Sequence, residues 1–404
     1  KKQPIEFKFY TEFQSHEPEF DCLKSLEIEE KINMIKWLKR HHNGIFLLAT
    51  NGLCRMITLP DKTIKFWKVH EKKIKRLRKD AKGKSPDTRP PGAIVIPRLT
   101  HYQTITTASQ KRVFSNAHSY HINSISVNSD GETFISADDL RINLWNLEVA
   151  SESFNIVDVK PANLEELTEV ITTAAFHPTQ CNTMLYASSR GSIRLGDLRD
   201  SALCESQSKS EFLVGSISTV FEMDEDPASK SFFSEIISSI SDARFTNDGR
   251  YIISRDYLTV KVWDVNMESR PVSTIAVHDY LRMHLTDLYE NDCIFDKFEC
   301  AASPDGKQVL TGSYNNNFML HDSTINQSIT IEAQKDPVAP PTSSTTKDKG
   351  VKGKKKEKET FPNVNLMDFG KKALHVSWHP RTECVAVAGL NKLYIYYAPL
   401  HSSS

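Results

Sequence analysis

Residues 117–149 read AHSYHINSISVNSDGETFISADDLRINLWNLEV, and this stretch decides the fold. Ile122, Ile125 and Val127 give a short apolar strand, and Asn128-Ser129-Asp130-Gly131 is a tight turn whose glycine supplies a positive φ. Thr133–Ser136 read as a second strand and Asp138-Asp139 as a turn. Arg141–Leu147 read as a third strand, with Ile142 and Leu144 on one face and Trp145 on the other. His118 and Asp139 stand where a blade of this kind carries the pair that hydrogen-bonds towards its tryptophan. Short antiparallel strands of this spacing are one blade of a β-propeller.

The rest of the chain consists of imperfect copies of that unit. Its first turn recurs at Lys36-Trp37…Asn43-Gly44, Phe176-His177-Pro178, Phe245–Gly249, Ala302–Gly306 and Trp378-His379-Pro380. Third strands are expected at Thr63–Val69, Ser192–Asp197, Thr259–Val265, Asn316–Asp322 and Leu393–Tyr397. From Trp37 to Val127, Phe176, Phe245, Ala302 and Trp378 the spacings are 90, 49, 69, 57 and 76 residues. A bare WD-repeat blade needs about 40–45, so the surplus lies in insertions, here assigned to 52–60, 68–98, 205–235 and a disordered Pro/Ser/Thr- then Lys-rich loop at 335–360. The fold class is therefore all-β: one WD-repeat β-propeller domain over 1–404, with six full blades. Glu6–Phe13, alternating and aromatic-rich, is expected as the strand left by a seventh blade that is otherwise missing. Asn163–Leu167 reads as a short helix.

Composition narrows the function. The 404 residues are 39% hydrophobic and 25% charged, the profile of a globular protein with ample core, and 51 basic residues balance 51 acidic ones. Seven scattered cysteines contain no Cys-x-x-Cys, which argues against a disulfide framework or zinc site and for a reducing cytosol or nucleus. No signal peptide is expected, and no apolar run approaches the ~20 residues of a membrane span. Lys352–Lys358 reads equally as a nuclear address or a solvated linker.

Reactive chemistry is missing from the pattern. There is no P-loop, Gly-x-Ser-x-Gly, His-Glu-x-x-His or dinucleotide fingerprint, and the 14 histidines show no ligand spacing. His177 and His379 precede prolines in blade turns and read as structural. Glu29-Glu30 and Glu165-Glu166 read as solvated faces. Residues 68–84 hold nine Lys/Arg against Glu71 and Asp80 without interleaved aromatics, which suits a protein-docking arm better than nucleic acid. No catalytic residue, metal or cofactor is expected.

Several longer motifs go beyond a generic blade. Phe13–Phe20, Lys24–Lys31, His121–Ser126, Ala137–Leu144, Ser153–Asp158, Lys160–Asn163, Glu166–Ile171, Arg255–Tyr257 and Tyr289–Glu299 closely resemble the B-fifty-five family of regulatory B subunits of protein phosphatase 2A. The resemblance runs from about residue 6 to 397. It implies a seven-bladed propeller that docks on the HEAT-repeat scaffold subunit and brings phosphoprotein substrates with basic flanks to the catalytic subunit, itself contributing no catalytic group. The family's scaffold-gripping hairpin corresponds to about Lys68–Arg98, with Lys72, Lys73, Lys75, Arg76, Arg78 and Lys79 as docking candidates. Its acidic substrate groove maps onto Asp139 and Leu167, with Tyr120, His121, Phe233, Tyr289, Glu290, Asp292 and Phe295 as further candidates. Asp139 is claimed by two roles, and Asp138 takes the surface role if Asp139 is internal. Gly52–Pro60 and Glu211–Val220 depart from the family pattern and put the local strands in doubt. The runner-up functions are a WD-repeat interaction platform in another assembly and, on no visible catalytic set, a propeller enzyme.

Overall fold

The computed structural model describes residues 7–16, 19–21, 26–28, 31–39, 44–52, 62–77, 99–199, 217–223, 231–333, 364 and 367–397. Contacts divide the chain into two compact units, Lys1–Ile122 with Leu147–Glu152, and Asn123–Asn146 with Ser153–Ser404.

In the first unit, β1 (Glu19–Asp21) pairs with β2 (Leu26–Ile28) as a two-stranded ribbon. β3 (Lys31–Trp37), β4 (Ile45–Gly52), β5 (Ile64–Leu77) and β6 (Leu99–Phe114) follow as one antiparallel sheet in that order. Leu48, Ile64 and Phe114 are buried there. Pairing with β4 ends at Val69 opposite Ile45, yet β5 continues to Leu77 against β6 alone. His70–Leu77 thus projects as a two-stranded ribbon roughly 25 Å long, at ~3.3 Å per residue. The expected strand Thr63–Val69 is correct at its start and too short at its end. Beyond Val69 the apolar pattern lapses into lysines, and cross-strand hydrogen bonding carries the strand. The strand expected at Glu6–Phe13 is not formed, since residues 7–14 carry no ladder.

Five sheets make up the second unit. They are β7 (Ser124–Val127) to β10 (Ser153–Asp158) with β8 (Thr133–Ala137) and β9 (Arg141–Asn146) between; β11 (Ile171–Phe176), β12 (Thr183–Ser188), β13 (Ile193–Asp197) and β14 (Ile217–Phe221); β15 (Asp242–Phe245), β16 (Tyr251–Arg255), β17 (Thr259–Asp264) and β18 (Ser273–Ala276); β19 (Cys300–Ala302), β20 (Gln308–Gly312), β21 (Asn317–Asp322) and β22 (Gln327–Glu332); and the three-stranded β23 (Val376–Trp378), β24 (Cys384–Gly389) and β25 (Lys392–Tyr397). With the sheet of the first unit these are six blades among the described residues, matching the six copies in the sequence. The third strands lie within a residue or two of their expected bounds, β5 apart. Two helices, α1 (Phe232–Ser238) and α2 (Leu285–Glu290), sit in the connections before β15 and β19. Part of the odd stretch Glu211–Val220 is a fourth strand, because β14 pairs antiparallel with β13, with a bulge between Leu195 and Gly196. Residues 53–61, 78–98, 200–216 and 334–363, which hold most of the insertions, fall outside the description.

Neighbouring blades of this unit pack face to face. Ile135, Ile142 and Val157 meet Ile171, Phe176 and Tyr186; further along, Leu185 and Phe221 meet Ile252 and Trp263. Ile253 and Val260 then meet Cys300 and Val309, and Leu310 and Phe318 meet Val376 and Val387. Strands covered on both faces must be apolar on both, and this is why the sequence shows short apolar runs as well as alternation. First strands would leave backbone N–H groups open on their inner edge. Side chains of the preceding blade accept from them: Ser124 Oγ from Ala174 (3.0 Å), Ser126 Oγ from Phe176 (2.9 Å), Asp242 Oδ2 from Cys300 (3.0 Å) and Glu299 Oε2 from Val376 (3.2 Å). Arg244 closes the last pair by bonding Asp242 at 2.9 Å and Glu299 at 3.5 Å.

The turn aspartate of this blade stands one residue before the expected Asp139, and the tryptophan bonds a serine. Trp145 Nε1 donates to Ser136 Oγ at 2.8 Å. Asp138, fully buried, accepts from the backbone N–H groups of Leu140 (2.8 Å) and Arg141 (2.7 Å), so it holds the turn between β8 and β9. The structural place given to Asp139 belongs to Asp138, and the surface role offered to Asp138 is excluded by its burial. Asp139 remains half-buried at the blade end, its carbonyl accepting from Ile171 N at 2.8 Å. Gly131 has the positive φ its turn demands, +73°. The helix expected at Asn163–Leu167 is a single 3-10 turn, Leu164–Glu166, capped by Asn163 Oδ1.

Candidate functional site: an aromatic patch on one rim

Antiparallel blades put the second-to-third turn and the onward connection at the same end. In the second unit that end is a continuous rim, stitched by backbone hydrogen bonds from connection to connection. Ser189 N donates to Val170 O (2.9 Å), Tyr257 N to Ile237 O (3.2 Å), His278 N to Leu258 O (2.9 Å) and Ala373 N to Ser313 O (3.0 Å). Asp139, Leu167, Phe233, Tyr289, Glu290, Asp292 and Phe295 all lie on this rim.

Two insertions build its most distinctive feature. α1 starts where Ser234 Oγ accepts from Ser231 N at 2.9 Å, a local cap that frees the run Phe232-Phe233 to begin a helix. Ile236 and Ile237 pack inward, against a cluster of Tyr257, Leu258, Leu281, Leu285, Leu288, Ile294, Phe298 and Tyr314. The same cluster seats residues 279–295, a 3-10 stretch (Asp279–His284), α2 and a last 3-10 turn (Cys293–Phe295). Leu281, Leu285 and Leu288 face in, at the spacing that buries one face of a helix. Asp292 turns the chain with φ +57°, a conformation Asp tolerates better than most residues.

What this exposes is a group of four rings. Phe232 meets Phe233 at 5.3 Å and Tyr289 at 5.6 Å; Phe233 meets Tyr289 at 6.0 Å, and Tyr289 meets Phe295 at 5.8 Å. Phe232 is 68% exposed, Phe295 54% and Tyr289 40%. Edge-to-face rings this open to water mark a surface awaiting a partner. Exposed carboxylates neighbour the rings in sequence, namely Glu235, Asp287, Glu290 and Asp292, against Lys297. Cys293 lies half-buried beside them, and burial together with the Asp296 carboxylate pushes its thiol up.

Four of the expected residues are therefore gathered into one place: Phe233, Tyr289 and Phe295 in ring contact, and Glu290 adjoining in sequence. Asp292 supplies the turn that presents Phe295. Leu167 and Asp139 lie further along the same rim, Leu167 exposed after the 3-10 turn. Tyr120 and His121 belong to the first unit, exposed on the segment following β6. Phe232 was missed, although the doubled phenylalanine between serines was the signal. Of the basic candidates, Lys72, Lys73, Lys75 and Arg76 lie exposed on the β5–β6 ribbon, with Arg76 over the Tyr102 ring at 5.4 Å; Arg78 and Lys79 lie outside the described residues. In that sheet the ribbon leaves from the end opposite the segment that carries Tyr120 and His121.

Residues 108–146 match the family description "WD domain, G-beta repeat", a unit that joins the end of β6 to β7, β8 and β9. A serine/threonine-protein phosphatase 2A regulatory subunit of Dictyostelium discoideum is 49% identical, over 97% of this chain and 86% of its own length. The B beta isoform of the serine/threonine-protein phosphatase 2A 55 kDa regulatory subunit, from Carassius auratus, is 53% identical, over 97% of this chain and 84% of its own. The chain belongs to the phosphatase 2A 55-kDa regulatory B subunit family. As a member of that family it has a regulatory, non-catalytic role in association with the phosphatase complex, and the reading as a platform of some other assembly is not favoured.

Proposed function

We propose that this regulatory protein grips the scaffold subunit through the basic β5–β6 ribbon and receives basic-flanked phosphoproteins on the acid-flanked aromatic patch, for dephosphorylation by the catalytic subunit of a heterotrimer. The observation that carries the reading is the patch itself, three rings in mutual contact and a fourth, Phe295, joined through Tyr289, with three of the four 40–68% exposed. Aromatic anchors supply the desolvated centre of an interface, and flanking carboxylates steer a basic partner towards it. The ribbon supports the scaffold half for a different reason. It has no core of its own, presents Lys72, Lys73, Lys75 and Arg76 to solvent, and a free two-stranded ribbon is marginal without a partner surface. The place of work is the cytoplasm, with the nucleus open to it.

Deleting residues 70–96 in cells and purifying the complex tests the assignment. Scaffold and catalytic subunits should disappear from the purification while the blades stay folded by circular dichroism. Undiminished recovery of the scaffold with the deleted chain would remove the ribbon from the interface.

A further inference from the structure

We infer that Tyr314, Asp296 and Lys372 form a clamp that positions Phe295, and through it Tyr289, for docking. These residues shape recruitment without touching the recruited protein. The inference rests on the reading of the patch as the docking surface.

Phe295 ends a 3-10 turn of three residues, in which only Ile294 is buried. The turn's own hydrogen bonds are weak: Phe295 N to Asp292 O at 3.4 Å and Asp296 N to Cys293 O at 3.1 Å. So short a piece has no stability of its own, and its pose is decided by what holds it from outside. The anchors come from three different blade connections. The buried Tyr314 hydroxyl, from the turn before β21, lies 2.9 Å from Cys293 O and 3.0 Å from Asp296 Oδ2. Tyr257, from the turn between β16 and β17, places its hydroxyl 2.9 Å from that of Tyr314. Lys372, ahead of β23, reaches Asp296 Oδ1 at 2.5 Å.

Proton counting orders the relay. Tyr314 has one hydrogen to give and two acceptors on the turn, so Tyr257 donates to Tyr314, and Tyr314 donates to the carbonyl and carboxylate pair. Burial raises both phenols above their ordinary range, which keeps them protonated donors. Asp296 is 11% exposed, and Lys372 is the cation that balances it. Lys372 is itself fixed, because its segment is pinned by Asp368 N to Asn315 Oδ1 (2.8 Å), by Ala373 N to Ser313 O (3.0 Å) and by Phe369 against the Tyr314 ring (5.0 Å). A Cβ at Gly312 would lie 1.7 Å from Ala373 O, so the two connections are in backbone contact. Loosening any anchor releases Phe295, and the 5.8 Å ring contact passes the displacement to Tyr289.

The test uses the assembled holoenzyme carrying wild-type chain, Lys372→Met, Lys372→Arg, Tyr314→Phe or Phe295→Ala. The probe is a synthetic phosphothreonine peptide with three arginines on each side. Lys372→Met and Tyr314→Phe should raise its KM about tenfold, the loss expected when one interface anchor is displaced, with the effect on KM rather than kcat. Lys372→Arg should restore it. Amide hydrogen exchange of residues 291–297 should quicken in both weakened variants while β20 and β21 stay protected. Unchanged exchange at 291–297, or an arginine that fails to rescue, would overturn the clamp. An unchanged KM in Phe295→Ala would overturn the docking reading instead, whatever the exchange shows at 291–297.

Discussion

Trp145 donates its indole N–H to the Ser136 hydroxyl at 2.8 Å, nine residues back, and Trp263 does the same to Ser254 at 3.0 Å. Both rings and both serines are buried. In each case the serine is the last but one residue of the second strand and lies two residues before the turn aspartate, Asp138 in one blade and Asp256 in the other. Asp256 accepts from Leu258 N (2.9 Å) and Thr259 N (2.6 Å), as Asp138 does from Leu140 and Arg141. The two blades thus share one solution to satisfying a buried indole and a tight turn.

Removing either hydroxyl leaves a buried donor unpaired. Ser136→Ala and Ser254→Ala should each cost about 1–3 kcal/mol. The serines lie in different blades without a shared partner, so the double variant should lose the sum. Denaturant titration of the singles and the double measures this. Losses near zero would mean that water replaces the serine.

Asp138 and Asp139 are neighbours with opposite expected behaviour. Asp138→Ala strips a buried turn of its acceptor and should lower the melting temperature, at about 1–3 kcal/mol. Asp139→Lys should melt close to wild type and instead weaken recruitment of basic-flanked substrates, more so at low salt. Thermal melting and peptide pull-down on the same preparations separate the two. A folded Asp138→Ala beside an unfolded Asp139→Lys would reverse the assignment.

Blade number and the third-strand positions other than β5 were legible because those strands are short, apolar on both faces and bounded by polar turns. Ile193–Asp197 and Asn317–Asp322 each lie one residue inside the span read from sequence. Three features were not legible. Only Ile74 and Leu77 are apolar in His70–Leu77, too few for an alternating pattern, and that strand exists through pairing with β6. The one-residue offset between Asp138 and Asp139 is invisible in an Asp-Asp pair, since either could cap the turn. The patch draws Phe232 and Phe233 from one insertion and Tyr289 and Phe295 from another. Resemblance alone suggested some of these residues, and no local pattern says that the rings of α1 meet Tyr289 of α2.

Acid should weaken the second unit through His278. The ring is fully buried and faces Arg255, Tyr257, Tyr280 and Tyr314, with Phe298 alongside. Nδ1 lies 3.0 Å from the Tyr257 carbonyl and 3.1 Å from Arg255 Nη2, and Nε2 lies 2.8 Å from Ser313 Oγ, so both ring nitrogens are enclosed by polar partners. Burial and then the Arg255 charge hold the pKa well below 6.5. Burial also brings Arg255 down to about 10, which leaves it charged at neutral pH. Below pH 6.5 the unfolded chain takes up a proton that the folded ring refuses. The contribution is complete above 6.5 and is lost at up to about 1.4 kcal/mol per pH unit as pH falls. His375, raised by its hydrogen bond to Glu299, has the opposite sign, stabilising at low pH and losing that as pH rises through its folded value. Melting wild type and His278→Gln at pH 7.5 and 5.5 checks this. The variant should lose less on acidification, and equal losses would discount His278.

Phe232 gives the sharpest test of the patch, because it was absent from the expected site and nothing in the fold depends on it. Its ring is 68% exposed and touches only Phe233 and Tyr289 among the ring contacts of the described residues. Truncation to alanine removes no buried surface of consequence, and stability should change by less than about 0.5 kcal/mol, the usual range for surface positions. If the rings anchor a recruited protein, the same truncation should weaken recruitment by about 1–2 kcal/mol, or roughly 5- to 30-fold, as central aromatic residues of interfaces do. Phe232→Tyr keeps the edge-to-face ring contacts and should bind almost as wild type. Glu290→Lys should act differently, slowing association of basic partners at low salt and little at high salt, since a flanking charge steers rather than anchors. Surface plasmon resonance of the assembled holoenzyme against a basic-flanked phosphopeptide, at two salt concentrations, distinguishes them. Wild-type dissociation from Phe232→Ala, with stability unchanged, would mean that the patch is covered by something other than substrate.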